Sequence, residues 1–215
     1  MLAFYGERLN AVELNGSFYR TPAPETLEVW ARSVPEGFRF CLKAHRGLTY
    51  SGPGFDRLGL ARQLAGHYAG LGSRRGPLLL QFPPTRRLDP DLLEGLLAAL
   101  PAPVAVEFRD SSWFAERAYQ VLRWHGAALV VTDQEKWPRA PEPELGPLAY
   151  YRLRRDYTPA QLSAWARRLR AAAGRHDETY VFLKHEPEAP AWALRLLRPA
   201  AAGPARGSAP APPAP

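Results

Sequence analysis

The sequence predicts a parallel β/α fold of the TIM-barrel type, and three observations carry that prediction. Short apolar runs alternate with helical patterns along most of the chain, the runs lack inside–outside alternation, and each ends in a polar or charged residue. Continuous runs such as LLLQF, VAVEF, ALVV and YVFL suit strands buried on both faces, as in a parallel sheet. Repeated strand–helix–strand order implies parallel strands joined by right-handed crossovers. An open doubly wound sheet is the alternative. It usually carries a glycine-rich turn after its first strand, and neither G-x-G-x-x-G nor G-x-x-x-x-G-K-[ST] occurs here.

Taken in order, the chain opens in a helical pattern over Leu2, Phe4, Tyr5 and Leu9. Strands are expected at residues 11–18, 39–45, 77–82, 104–109, 128–133, 149–154 and 179–185, and helices near 24–33, 56–71, 114–125 and 189–198. Asp89-Pro90 places an N-cap ahead of a first-turn proline and the stripe Leu92, Leu93, Leu96, Leu97, Leu100. Thr158-Pro159 repeats the device, with Gln161 completing a capping box and Gly174 standing where a left-handed C-cap is expected. A closed barrel has eight strands, whereas the reading yields seven, so a strand is either missed or lies upstream of Met1.

The 215 residues, 46% apolar and 23% charged, suit one globular domain, read as residues 1–198. Residues 199–215, a Pro/Ala-rich stretch without large apolar side chains, read as a disordered tail. No run approaches the roughly 18 apolar residues of a membrane span, and the start lacks a secretory pattern. The single cysteine, Cys41, excludes an internal disulfide and points to a reducing cytoplasm, with a buried, inert thiol expected. The formal charge is +7, and arginine greatly outnumbers lysine. Arg167, Arg168 and Arg170 read as a solvated helix face, and no nucleic-acid recognition motif accompanies the charge. Nucleic acid therefore ranks behind a small anionic or polar metabolite as partner. Cofactor and oligomeric state are not readable.

In a β/α barrel the chemistry gathers where strands end. Those ends hold Glu13 and Asn15, Lys43 and His45, Gln81, Glu107 and Arg109, Asp133, Arg152, and Lys184 with His185. A charged group closing an apolar strand needs solvent or a partner, and residues two apart share a face. Convergence on one polar pocket is the sharper reading; structural ion pairs, such as Glu13 or Glu107 with Lys43 or Arg152, are the plainer one.

VELNGSFYR, PEGFRFCLKAHRGLTY, GPLLLQFPP, VAVEFRDSSWF and ALVVTD, in that order, resemble the signature stretches of the YecE-like family, domain of unknown function 72. The resemblance implies a TIM barrel, loosely grouped with sugar isomerases, without an assigned activity. It maps the family's polar positions onto Glu13, Asn15, Tyr19, Lys43, Gln81, Glu107, Arg109, Trp113, Asp133 and Arg152. The chain departs from that pattern at Asp110 and Tyr50, where the family has histidine, and at Arg154, Lys184 and His185. The resemblance also implies a strand ahead of Met1, with a gap between the first and last strands seen here.

The leading functional reading is an enzyme acting on a sugar, sugar phosphate or similar metabolite. Glu13, Lys43 and Glu107 are its candidate catalytic groups, a glutamate of raised pKa acting as general acid or base. Asn15, Tyr19, Gln81, Arg109, Trp113, Asp133 and Arg152 are candidate substrate-binding groups, the cations holding anionic groups and the aromatics Tyr19 and Trp113 either walling a sugar face or, the commoner role of buried aromatics, packing as plain core. A metal-assisted hydrolase or phosphodiesterase is weaker, since His45, His67, His125, His176 and His185 show no H-x-H or H-E-x-x-H spacing, and no metal ligand is assigned. A non-catalytic basic binding module, or a shortened inactive barrel, is the third reading.

Overall fold

The computed structural model describes residues 2–100, 103–184 and 187–197. The tail and His185 lie outside them. All seven expected strands form: β1 (Ala11–Leu14), β2 (Arg39–Leu42), β3 (Leu78–Phe82), β4 (Val104–Phe108), β5 (Ala128–Asp133), β6 (Leu148–Leu153) and β7 (Glu178–Leu183). β1 stops earlier than its apolar pattern suggests. The Ser17 hydroxyl donates toward Leu14 O at 2.7 Å and Lys43 O at 2.8 Å, and Gly16–Phe18 turn as a 3₁₀ segment. β2 is also shorter, with Lys43 continuing it only as an isolated bridge to Leu79.

Eight α-helices are assigned among the described residues: α1 (Leu2–Gly6), α2 (Pro24–Arg32), α3 (Gly47–Tyr50), α4 (Arg57–Tyr68), α5 (Pro90–Ala99), α6 (Glu116–Trp124), α7 (Pro159–Ala173) and α8 (Ala189–Leu197). Asp89 caps α5 by accepting from Leu92 N at 3.0 Å. Thr158 and Gln161 exchange both capping-box bonds at the start of α7. The helix expected over 56–71 is divided: α4 ends at Tyr68 and 3₁₀ turns follow over Ala69–Arg74. Gly70 packs against the Pro24 carbonyl so closely that a Cβ would stand 2.7 Å from it, and Gly72 turns at φ +54°. Gly174 is not left-handed; it sits at φ −77°, ψ −7°. The chain instead leaves α7 through a further right-handed turn, with Arg175 and His176 both donating to Ala172 O.

Every ladder is parallel, in two sheets ordered β1-β2 and β3-β4-β5-β6-β7. Bridges Phe40–Arg75 and Lys43–Leu79 link β2 to the second sheet. The sequential order contains no reversal, which rules out a doubly wound sheet. No ladder joins β1 to β7 among the described residues, so the sheet is not closed between the first and last strands. Yet Tyr150 of β6 reaches Glu13 of β1 at 2.9 Å, and Arg152 of β6 pairs with Glu107 of β4. Strands two apart in a flat sheet stand nearly 10 Å from each other, so the sheets curl around a shared interior.

Alternation along each strand divides the core. Phe40, Leu42, Leu78, Leu80, Phe82, Val104, Val106 and Phe108 face the helices and pack on Leu27, Leu64, Leu93 and Leu122. Cys41, Leu79, Ala105, Ala128, Val130, Tyr150, Tyr180 and Phe182 face the interior. Val131, Tyr151 and Leu153 complete the helix side against Leu162, Trp165 and Leu169 of α7. Cys41 is fully buried, and burial pushes its thiol pKa well up. Among the described residues no helix is long and apolar enough to cross a membrane.

Candidate active site

The interior face carries polar groups at the carboxyl ends of the strands. Arg152 is their hub. Its Nη2 donates to Glu13 Oε1 at 2.7 Å and toward Asn15 Oδ1 at 3.4 Å, while Nη1 pairs with Glu107 Oε2. Glu107 Oε1 accepts from Gln81 Nε2 at 2.8 Å and Arg109 Nε at 3.1 Å. Glu13 also accepts from Asn15 Nδ2 at 3.1 Å and the Tyr150 hydroxyl at 2.9 Å. The strand register explains the meeting: Gln81 lies opposite Glu107, and Thr132 opposite Arg152.

The electrostatics correct one expectation. Burial alone would push the Glu107 carboxyl up, but the guanidiniums of Arg152 and Arg109 outweigh it and hold the group below the usual carboxylate range. Glu107 is thus a fixed anion and not a general acid of raised pKa. Burial alone would likewise lower Arg152, and the two glutamates reverse that, keeping it charged.

Lys43 is different. Burial, followed by the like charge of Arg152, brings its ammonium from 10.5 to about 8, against the opposite pull of Glu107 and Glu13. The residue is 9% exposed, and Nζ stands 3.9 Å from the centre of the Phe18 ring. Among the described residues it has no hydrogen-bond acceptor and no ion pair.

The structure therefore gathers Glu13, Asn15, Lys43, Gln81, Glu107, Arg109 and Arg152. It sets apart three other expected members. Asp133 points to the helix side, accepting from Tyr157 Oη at 2.9 Å and Trp165 Nε1 at 3.2 Å, with Arg155 at 3.5 Å. Trp113 is fully buried, stacked 4.4 Å from Phe108 and donating to Arg86 O, so it walls no pocket. Tyr19 is 70% exposed, its ring meeting the edge of Phe18. His45 accepts from Gly47 N, a local turn contact.

Three members were missed. Thr132, rather than Asp133, is the interior residue at the end of β5, and its Oγ1 is buried without a partner among the described residues. Tyr150 and Arg154 flank Arg152 on the same face; burial and then Arg152 lower the Arg154 pKa. The period-2 alternation of β5 and β6 contained this information. With Arg154 included, four cations face two carboxylates. Among the described residues no three His, Cys, Asp or Glu side chains gather as metal ligands. Beside Glu13 and Asn15, between β1 and β7, opens a cavity of about 1020 Å³, also lined by Arg154, Arg39, Glu178 and Leu196.

A family model described as "Protein of unknown function DUF72" matches residues 1–215. The chain belongs to that family. This DUF72 chain is 28% identical over 133 residues to the UPF0759 protein YunF of Bacillus subtilis (strain 168), covering 55% of the chain. The match spans 46% of that relative, under half its length. Among solved structures, a DUF72 family protein (EF0366) of Enterococcus faecalis V583 superposes with a TM-score of 0.76 at 19% identity over 91% of both chains. Another (TM1631), of Thermotoga maritima MSB8, gives 0.70 at 27% identity over 87% of this chain and 83% of that one. These likenesses support the α/β fold and assign no reaction.

Proposed function

We infer that the seven strands are a TIM-type β/α barrel interrupted between β1 and β7, and that its mouth is the active site of an enzyme for a small anionic or polar metabolite, such as a sugar or sugar phosphate. The observation that carries this reading is Lys43: an amine lacking an acceptor among the described residues, poised near pH 8, beside a rigid set of charges with excess positive sign. A group that changes protonation near neutrality suits acid–base work. In this reading Lys43 moves the proton. Arg109, Arg152 and Arg154 complement the anionic part of the substrate and any charge developing on its oxygens. Glu13 and Glu107 are the carboxylates that keep Arg152 in place, with Gln81 and Asn15 orienting them. A reducing cytoplasm suits a chain whose one thiol is buried.

The test is a thermal-shift screen of sugars, sugar phosphates and carboxylates on the parent chain, Lys43→Ala and Glu107→Gln. An anionic ligand that stabilises the parent and neither variant supports the site. Equal stabilisation of all three proteins by every active ligand refutes it.

A further inference from the structure

Resting on that reading of the mouth, we propose that Lys43 forms an imine: its amine adds to the carbonyl carbon of a small aldehyde or ketone bearing a carboxylate or phosphate, and water is expelled.

The choice of residue is the first support. Of the 28 basic residues, three are lysines (Lys43, Lys136 and Lys184) and 25 are arginines. Arginine serves nearly everywhere this chain needs a cation. Arginine cannot shed its proton, and lysine can. A lysine at an interior strand end, where arginine stands at 109, 152 and 154, supplies a property arginine lacks. Lys136, by contrast, is exposed, with its ammonium 5.0 Å from the Trp137 ring centre.

Placement is the second support. The Phe18 ring holds the ammonium without accepting a conventional hydrogen bond from it, and Arg152 and Arg109 add like charge; desolvation and a neighbouring cation are the two routes to a nucleophilic lysine. The ionisable groups acting on it are Arg152, Glu107, Arg109 and Glu13. On the same interior face, Thr132 Oγ1 and Arg152 Nε are buried without partners among the described residues. The register puts those two residues side by side.

The step balances. Lys43 releases a proton to solvent, the neutral nitrogen bonds to the carbonyl carbon, and the carbinolamine hydroxyl takes up a proton and leaves as water. The net change is ammonium plus carbonyl giving iminium plus water. The positive charge facing Glu107 and Glu13 is the same before and after. Arg109 and Arg154 select a carbonyl compound with a negative group.

The whole chain is incubated with sodium cyanoborohydride and one of three probes: pyruvate, dihydroxyacetone phosphate, or uncharged dihydroxyacetone. Labelled peptides are then assigned by mass spectrometry. Lys43 should be alkylated at least about tenfold faster than Lys136 or Lys184 at pH 7, because an amine of lowered pKa is neutral more often, with half-maximal rate near pH 8. Pyruvate and dihydroxyacetone phosphate distinguish a carboxylate preference from a phosphate preference, and either should outpace dihydroxyacetone. Lys43→Arg, which keeps a cation on Phe18, should abolish labelling of that peptide while circular dichroism matches the parent. Labelling of Lys43 no faster than of Lys136 and Lys184 overturns the proposal, and equal rates for charged and uncharged probes overturn its anion selectivity. Lys43-dependent stabilisation by anions without any adduct refutes the imine and leaves the acid–base site standing; absence of both removes the site itself.

Discussion

Replacing Arg152 by Met tests whether the interior is organised around one guanidinium. Arg152 is 3% exposed and pairs with Glu13 and Glu107, whose side chains are 4% and 3% exposed. Methionine fills much of the volume and removes the charge. Glu107 then keeps Gln81 and Arg109, and Glu13 keeps Asn15 and Tyr150, but both remain buried without their shared cation. Removing one partner of a buried pair typically costs about 3–5 kcal/mol, against a total stability of about 5–15 kcal/mol. At roughly 2–4 °C per kcal/mol for a chain this size, Tm falls by about 6–20 °C. Urea denaturation at pH 7 and pH 4 provides a second readout. The wild-type Glu107 pKa is depressed, so its contribution is present above the ordinary value of 4.5 and lost as pH falls through the folded pKa. In the variant the Glu107 carboxylate, without the Arg152 guanidinium, titrates higher, and its penalty is relieved on acidification. The deficit must therefore narrow toward pH 4. It must also shrink in the Arg152→Met/Glu107→Gln double variant, because the two side chains are coupled. A loss below about 1 kcal/mol, or parallel pH profiles, refutes the argument.

Lys43→Met should stabilise the chain at pH 7. The fall from 10.5 to about 8, at about 1.36 kcal/mol per pKa unit, bounds the cost of the buried charge at roughly 3 kcal/mol, and solvent at the mouth reduces it to about 2. That cost is fully present below pH 8 and is relieved between 8 and 10.5, so the variant's advantage in urea must close over that window. Trp113→Ala, in the helix-side core against Phe82 and Phe108, should cost about 3–5 kcal/mol while leaving Lys43 labelling unchanged in the folded fraction; loss of labelling there would return Trp113 to the site. Thr158→Ala removes the hydroxyl that accepts from Gln161 N and should cost about 1 kcal/mol in chemical denaturation, an unchanged midpoint counting against the cap.

The seven strands, the caps at Asp89 and Thr158, and the burial of Cys41 were legible in the sequence because they rest on local signals: apolar runs, turn chemistry and side-chain size. So was most of the polar set, since parallel strands bring their carboxyl ends to one side of the sheet. Face assignment failed at Asp133, where the alternation along β5 turns Thr132 inward instead, while Trp113 took the plain core role. Three things belong to the tertiary structure alone. Curling of the sheets brings Glu13, Glu107 and Arg152 from β1, β4 and β6 into one contact. That contact keeps Glu107 ionised, because its pKa depends on guanidiniums 2 and 45 residues away along the chain. Lys43 becomes the titrating group for the same reason: a pKa is set by the dielectric and charges around an atom, and neither is written in its neighbours along the chain.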